Sequence, residues 1–308
     1  MTNEVVVGGY IQNTSSCLIG LYLLAIPWYT KPKPQRERIT LYKIITSDLD
    51  ETLLRTDGTI SQANIDAIAA ASAKGVKFVP NTGRSFLTVQ NLLKQLDLYQ
   101  KPGEYVVSYN GGVVVENQDN QVIVSNQMPF AEAKKAFEIM TQFDVDIHVY
   151  TLDHLYIYRP RADDMAYLKT RGVTFDEMTG SFDQFENDRI MKVIVMNPDL
   201  GVRQNVFQAI TAAFDEINCT YSSGIYMEVN HAGVDKGTAI LDLGRKLGVG
   251  ADEIMAIGDN ANDLGMLTKV GMPVSVANGI DEVKRVAKFV TPHDYESGVA
   301  DAIQEFIL

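Results

Sequence analysis

The chain has 308 residues, 46% hydrophobic and 21% charged, with a formal net charge of −12. At ~150 residues per domain the length suggests two domains with a real core, and the negative balance argues against the nucleic-acid backbone as main partner, since that needs clustered Lys and Arg. Two cysteines, Cys17 and Cys219, with no CxxC pair argue against a disulfide framework or structural zinc and for a reducing compartment, the cytoplasm.

Along the chain, the apolar run CLIGLYLLAIPWY (17–29) comes first. It falls short of the ~20 residues a spanning helix needs, and no Lys or Arg precedes it as in a secretory signal. Residues 1–40 are therefore expected to be a non-native or weakly ordered extension, ahead of an extra packed helix or a membrane anchor. Leu41 stands where an alternative initiation codon would be read as Met.

Strand and helix patterns then alternate. YKIITS (42–47) reads as a buried strand. Ser61 caps a helix with Ile65, Ile68 and Ala69 on one face, and Gly75 ends it. A strand VKFVPNT (76–82), a helix through Leu87, Leu92, Leu93 and Leu96, and a strand EYVVSYN (104–110) follow. From Lys236 the alternation resumes: a helix to Gly248, a strand EIMAIGD (253–259), a short helix NDLGMLTKV, a strand PVSVA (273–277) and a helix over 280–288. Repeated βα units imply a parallel sheet with helices on both faces. Between the blocks lie a hairpin, VVVENQDNQVIVSNQ, with Asp119-Asn120 near its turn, an aromatic strand region HVYTLDHLYIYRP, a strand over 189–196 and a helix over 203–217. The fold expected is α/β, a core of residues 41–113 and 224–308 carrying an inserted α+β domain at 114–223.

In open α/β sheets ligands bind at the carboxyl ends of the strands. There this sequence places Asp48 and Asp50, then Thr82-Gly83-Arg84, Asn110-Gly111-Gly112, and Asp259 with Asn262 and Asp263; Lys236 opens the helix before the last of these strands. The carboxylates of Asp48, Asp50, Asp259 and Asp263 face a single lysine, so they hold a proton or a cation. Oxygen-only ligands favour Mg²⁺, which commonly also meets substrate phosphate. Residues i and i+2 point the same way, so Asp48 can attack phosphorus while Asp50 acts as acid and then base. Thr82, Gly83, Lys236 and Asn262 are candidate donors to phosphoryl oxygens. Arg84 reads equally as a substrate contact or a surface ion pair. The four histidines show no metal spacing, and Tyr150, His154, Tyr156 and Tyr158 alternate as strand residues do.

DLDETLL, NTGR, NGG, DKG and GDNANDLGML together resemble the haloacid dehalogenase superfamily, and most closely its Cof-type phosphatases with a class II (IIB) cap. The resemblance spans about 41–308. It implies a Rossmann-like core, a cap in the gap between Asn110 and Lys236, and an aspartyl-phosphate on Asp48. It further implies metal ligation by Asp48, Asp259 and the Asp50 main-chain carbonyl, a phosphoryl cradle of Thr82, Gly83, Lys236 and Asn262, and a supporting Asp263. Two positions depart from the pattern: Glu51 stands where most members have Gly, and Asn81, from which little is expected, where Ala is common. The expected activity is Mg²⁺-dependent hydrolysis of a small phosphorylated metabolite, a sugar, nucleotide or cofactor phosphate. A phosphomutase of the same superfamily is the alternative, and a phosphoacceptor regulatory module a more distant one. Oligomeric state is left open, and neither nucleic acid nor membrane is expected as partner.

Overall fold

The computed structural model describes residues 42–308, and the expectations for residues 1–41 lie outside the described residues. The first part of the chain runs β1 (Ile44–Ser47), α1 (Gln62–Ala73), β2 (Lys77–Pro80), α2 (Gln90–Gln95), β3 (Tyr105–Ser108), β4 (Val113–Glu116) and β5 (Gln121–Ser125). The middle runs α3 (Phe130–Met140), β6 (Asp146–Thr151), β7 (Leu155–Tyr158), α4 (Ala162–Thr170), β8 (Asp176–Glu177), β9 (Ile190–Met196), α5 (Leu200–Ala213), β10 (Asn218–Ser222) and β11 (Tyr226–Asn230). The last part runs α6 (Lys236–Leu247), β12 (Ile254–Gly258), α7 (Leu264–Leu267), β13 (Met272–Ser275), α8 (Asp281–Val286), β14 (Phe289–Val290) and α9 (Gly298–Phe306).

The core is the expected parallel sheet, in the order β14-β13-β12-β1-β2. All four residues of β1 are buried, as a central parallel strand requires. Its successive side chains feed opposite layers. Ile45 packs with Ile68, Ala71, Val299 and Ile303 under α1 and α9, and Ile44 with Ala239, Ile240 and Leu243 of α6.

Ser61 caps α1 by accepting from the Asn64 amide, and Gly75 follows its end in the left-handed region. The inward face of α1 is Ile68 and Ala71, with Ile65 half-buried. Ala69, expected on that face, is exposed: it lies one residue round from Ile68, whereas Ala71 stands three residues on and shares its side. The expected helix through Leu87 and Leu96 is split. A 3₁₀ turn, Phe86–Val89, precedes α2 and leaves Leu87 exposed.

The middle of the chain forms a six-stranded sheet, β10-β11-β9-β6-β7-β8, antiparallel except at β7/β8. Its buried face packs Ile147, Val149, Val193 and Val195 against Phe137 and Met140 of α3 and Ile210 of α5. The hairpin β4–β5 is present, but its third strand is β3, and Val114 and Val124 pack with Ile240 and Leu243 of the core. At the other end, β11 pairs with β9 and β10. Boundaries at 114 and 223 would part most of β4 and β5 from β3, and β11 from β9 and β10. Alternating valines reveal one buried face but not the partner that covers it. By sheet membership we propose that the insert runs from about Asn126 to His231.

Candidate active site

The parallel register aligns Ser47 with Ile257, and the Asp48 amide continues the ladder to the Ile257 carbonyl at 3.0 Å. Asp48 and Asp259 therefore leave neighbouring strands side by side. Asp263, in the short 3₁₀ turn Ala261–Asp263, folds back on this loop: its Oδ2 accepts from the Asp259 and Asn260 amides at 2.9 and 3.0 Å. One carboxylate oxygen each from Asp48, Asp259 and Asp263 lies within 4.8 Å of the others. Thr52, unread in the sequence, donates to Asp259 Oδ1 at 2.5 Å.

Lys236 enters this group from the first turn of α6. Asp235 caps that helix by accepting from the Gly237 and Thr238 amides. The turn lies tight against α7, because a Cβ on Gly237 would overlap the Gly265 carbonyl. This approach carries the fully buried Lys236 ammonium onto Asp48 Oδ1 and, at 2.7 Å, Asp263 Oδ1. Asn81 is buried too and donates to the Lys236 carbonyl at 3.0 Å, so it ties the end of β2 to α6 and does more than the sequence reading expects of it.

The electrostatics follow from burial. Desolvation holds the Asp48 carboxyl well above the usual carboxylate range despite Lys236, and desolvation together with Asp263 pushes Asp259 up to about 7. Burial alone would lower Lys236, but the Asp263 and Asp48 carboxylates outweigh it and keep the ammonium charged. One lysine thus leaves the cluster short of positive charge. Oxygen donors this close, already favouring protonation, fit a hard divalent cation. Asp48 and Asp259 have the carboxylates to hold it, whereas both Asp263 oxygens are taken by Lys236 and backbone amides.

Asp50 behaves differently. Burial would raise it, but Arg84 and Arg171 hold its carboxyl below the usual range. Arg84 is therefore an ion-pair partner of Asp50, and Arg171 reaches it from the insert, just past α4. The next residue, Glu51, adopts φ 62°, the left-handed region that favours glycine. The turn keeps the glycine conformation and Glu51 bears a strain of about 1 kcal/mol. This is the physical reason a glycine suits the position.

A cavity of 330 Å³ opens above these groups. Asp48, Asp50, Thr82, Gly83 and Asn262 line it, while Lys236, Asp259 and Asp263 stand behind Asp48. Thr82 Oγ1 accepts from the Arg84 amide at 3.1 Å, which leaves its own proton for another acceptor. The insert supplies the opposite wall, and several bonds besides that of Arg171 to Asp50 span the gap. Lys192 donates to the Gly83 carbonyl at 2.8 Å, Asn110 to Glu228 at 3.0 Å, and the Tyr109 hydroxyl to the Leu152 carbonyl at 2.8 Å. Of the alternating aromatics, Tyr150 and His154 line the cavity. Tyr156 and Tyr158 turn the other way, against Phe185 and Phe137.

His148, given no role from sequence, also lines the cavity and is buried. Its Nε2 lies 2.6 Å from Asp164, which accepts from Tyr226 at 2.6 Å and lies beside buried Asp146. Burial and the Asp164 charge push Asp146 up to about 8. A raised carboxyl favours its neutral form in the fold, so its stabilisation is complete below the unfolded value near ~4 and is lost as pH rises through about 8. Asp146→Asn is neutral at every pH. Its melting temperature is expected to gain on wild type between pH 5 and 8, equivalent to about 1–4 kcal/mol. Parallel melting profiles would contradict this origin of the pH dependence.

A parallel α/β sheet gathers carboxylates around one buried lysine at its carboxyl edge, under an inserted α+β layer; this defines the core-and-cap hydrolases. The haloacid dehalogenase-like hydrolase family matches residues 45–303, and the chain belongs to it. A provisionally named phosphatase of Streptococcus pyogenes serotype M6 is 32% identical over 267 residues, covering 86% of this chain and 98% of that protein. A Bacillus subtilis protein named 5-amino-6-(5-phospho-D-ribitylamino)uracil phosphatase is 28% identical, covering 89% and 99%. Among solved structures, a haloacid dehalogenase-like hydrolase from Bacteroides thetaiotaomicron aligns with a TM-score of 0.76 at 25% identity, covering 86% of this chain and 99% of its own. A structure described as a subclass IIB sugar phosphatase aligns at 0.74 and 22%, covering 86% and 98%. Fold and relatives together place the chain among the phosphatases of the superfamily.

Proposed function

We propose that the chain hydrolyses small phosphomonoesters in a Mg²⁺-dependent reaction through an aspartyl-phosphate on Asp48. The observation that carries this reading is the contact of Asp48 with Lys236 at the base of a lined cavity, with the Asp259 carboxylate close enough to share a cation with Asp48. Asp48 and Asp259, with the Asp50 main-chain carbonyl, would hold Mg²⁺, which when bound supplies the positive charge that lets a carboxylate approach a phosphate.

The remaining chemistry belongs to the chain. Lys236, the Thr82 hydroxyl, the Gly83 amide and Asn262 hold the phosphoryl oxygens. An Asp48 oxygen attacks phosphorus, the ester P–O bond breaks, and the leaving oxygen takes a proton from Asp50. Asp50, now a carboxylate, takes a proton from water as that water attacks phosphorus. The bond to Asp48 breaks, and inorganic phosphate leaves with the carboxylate restored. Acid duty requires Asp50 to part from at least one of the guanidiniums that now hold it ionised.

The cavity is at the small end of ligand sites, which run from about 300 to 1,000 Å³. That size, and relatives named for a phosphoribityl-uracil, support a sugar, nucleotide or cofactor phosphate as substrate. Among the described residues no helix is long and apolar enough to cross a membrane. We place the reaction in the cytoplasm on the cysteine usage alone. Chelation by EDTA is expected to lower phosphate release at least ~100-fold, with Mg²⁺ restoring it. Full turnover in EDTA would refute the cation's part in this reading.

A further inference from the structure

Asp50 is one carboxylate facing two guanidiniums. Arg84 Nε donates to its Oδ2 at 2.9 Å while a second Arg84 nitrogen reaches Oδ1, and Arg171 donates to Oδ1 at 3.0 Å. The side chains of Arg84, Arg171 and Asp50 are 25%, 31% and 37% exposed, so the trio faces the cavity and is not sealed into the core. Arg171 is also laid over the Tyr167 ring, its guanidinium 4.9 Å from the centroid, which sets its plane in advance. A guanidinium carries five N–H donors in a fixed fork, and Asp50 leaves several of these over.

The charge balance of the other cavity walls differs. Lys192 is neutralised by Glu228 at 2.6 Å, both buried. Asp153 lies at the rim, 65% exposed and 3.1 Å from His154, where water screens it. The base around Asp48 is acidic. The corner of Arg84 and Arg171 is thus where the wall carries positive charge in excess of its acidic partner. A pair serving only to hold the fold would need one arginine for one carboxylate.

We propose that Arg84 and Arg171 form a second anion subsite, which takes a carboxylate or a second phosphate on the substrate, apart from the phosphoryl group to be cleaved. The subsite rests on the phosphatase reading for the placement of that first group. Arg84 belongs to the core and Arg171 to the insert, so an anion held by both ties the two walls together over the substrate. The favoured substrates are phosphorylated sugar acids or bisphosphates, with Asp50 standing in as counterion until one arrives. Bidentate guanidinium contacts are the strong form of such recognition.

The test is calorimetric titration of the Asp48→Asn protein in Mg²⁺, which removes turnover from the readout. Three matched pairs serve as probes: 6-phosphogluconate and glucose 6-phosphate, fructose 1,6-bisphosphate and fructose 6-phosphate, 3-phosphoglycerate and glycerol 3-phosphate. In at least one pair the ligand with the extra anionic group is expected to bind about tenfold or more tightly than its partner. Adding Arg171→Met is expected to bring that ratio to within about threefold, and Arg171→Lys to keep part of it. Absence of preference in all three pairs, or an unchanged ratio in Arg171→Met, overturns the subsite. Hydrolysis of p-nitrophenyl phosphate by wild type is measured separately. Failure there refutes the phosphatase reading, while the binding ratios still decide the subsite.

Discussion

Asp48→Asn is expected to lower turnover by at least about 10⁴-fold, a loss of ~5 kcal/mol of transition-state stabilisation. The amide cannot attack phosphorus, so no phosphoaspartate forms. The substitution changes little else. The new side chain keeps an oxygen to accept from Lys236, which in wild type meets Asp48 Oδ1. It also removes one charge from a crowded group in which burial already raises the Asp48 carboxyl. Without added cation the variant is therefore expected to melt at or above the wild-type temperature. Rapid acid quenching with labelled substrate should trap a phosphorylated wild-type protein and none of the variant. Turnover within tenfold of wild type would remove Asp48 from the chemistry. Loss of turnover together with unfolding would show only that the side chain is structural, and the melting measurement separates the two.

The core was legible because its chemistry is local. Ser61 caps a helix, Gly75 and Gly248 end helices, and short apolar runs lead into polar turns. The acidic cluster was legible because strand ends of a parallel sheet converge, which brings Asp48 and Asp259 together from 211 residues apart in sequence. The insert was harder. Helix α3 begins after Pro129 with no side-chain cap bond to mark it, although Ala133, Ala136, Phe137 and Met140 share its buried face, and α4 buries Asp164 beside Leu168 and so lacks the apolar stripe that marks a helix. With α4 unread, Arg171 had no position. Its ion pair with Asp50 spans 121 residues and leaves no trace in local pattern. His148 has no metal spacing in the sequence, and the groups it meets, the Asp164 carboxylate and the Tyr226 ring, come from other elements. Glu51 is the converse case: one residue departs from the family pattern while the backbone around it keeps the conformation the pattern requires.

Lys236→Met is expected to abolish turnover and also to cost about 3–5 kcal/mol of stability, since it breaks a buried ion pair and strands its partners. Lys236 is wholly enclosed and meets two carboxylates, of which Asp263 is itself fully buried. Methionine fills a similar volume, so the loss reports charge more than packing. Asp263→Asn added to Lys236→Met removes one stranded charge, while an amide oxygen can still accept from the Asp259 and Asn260 amides that Asp263 now holds. The double variant is expected to regain about 1–3 kcal/mol relative to Lys236→Met alone and to remain inactive. Denaturant midpoints in EDTA measure this, because a bound cation would otherwise replace the missing charge. Added Mg²⁺ should then stabilise Lys236→Met more than wild type, since the single variant holds the carboxylates with no other counterion. Equal stability of wild type and Lys236→Met in EDTA would mean that the ammonium is not what balances these carboxylates, and the charge argument for the whole site would fall with it.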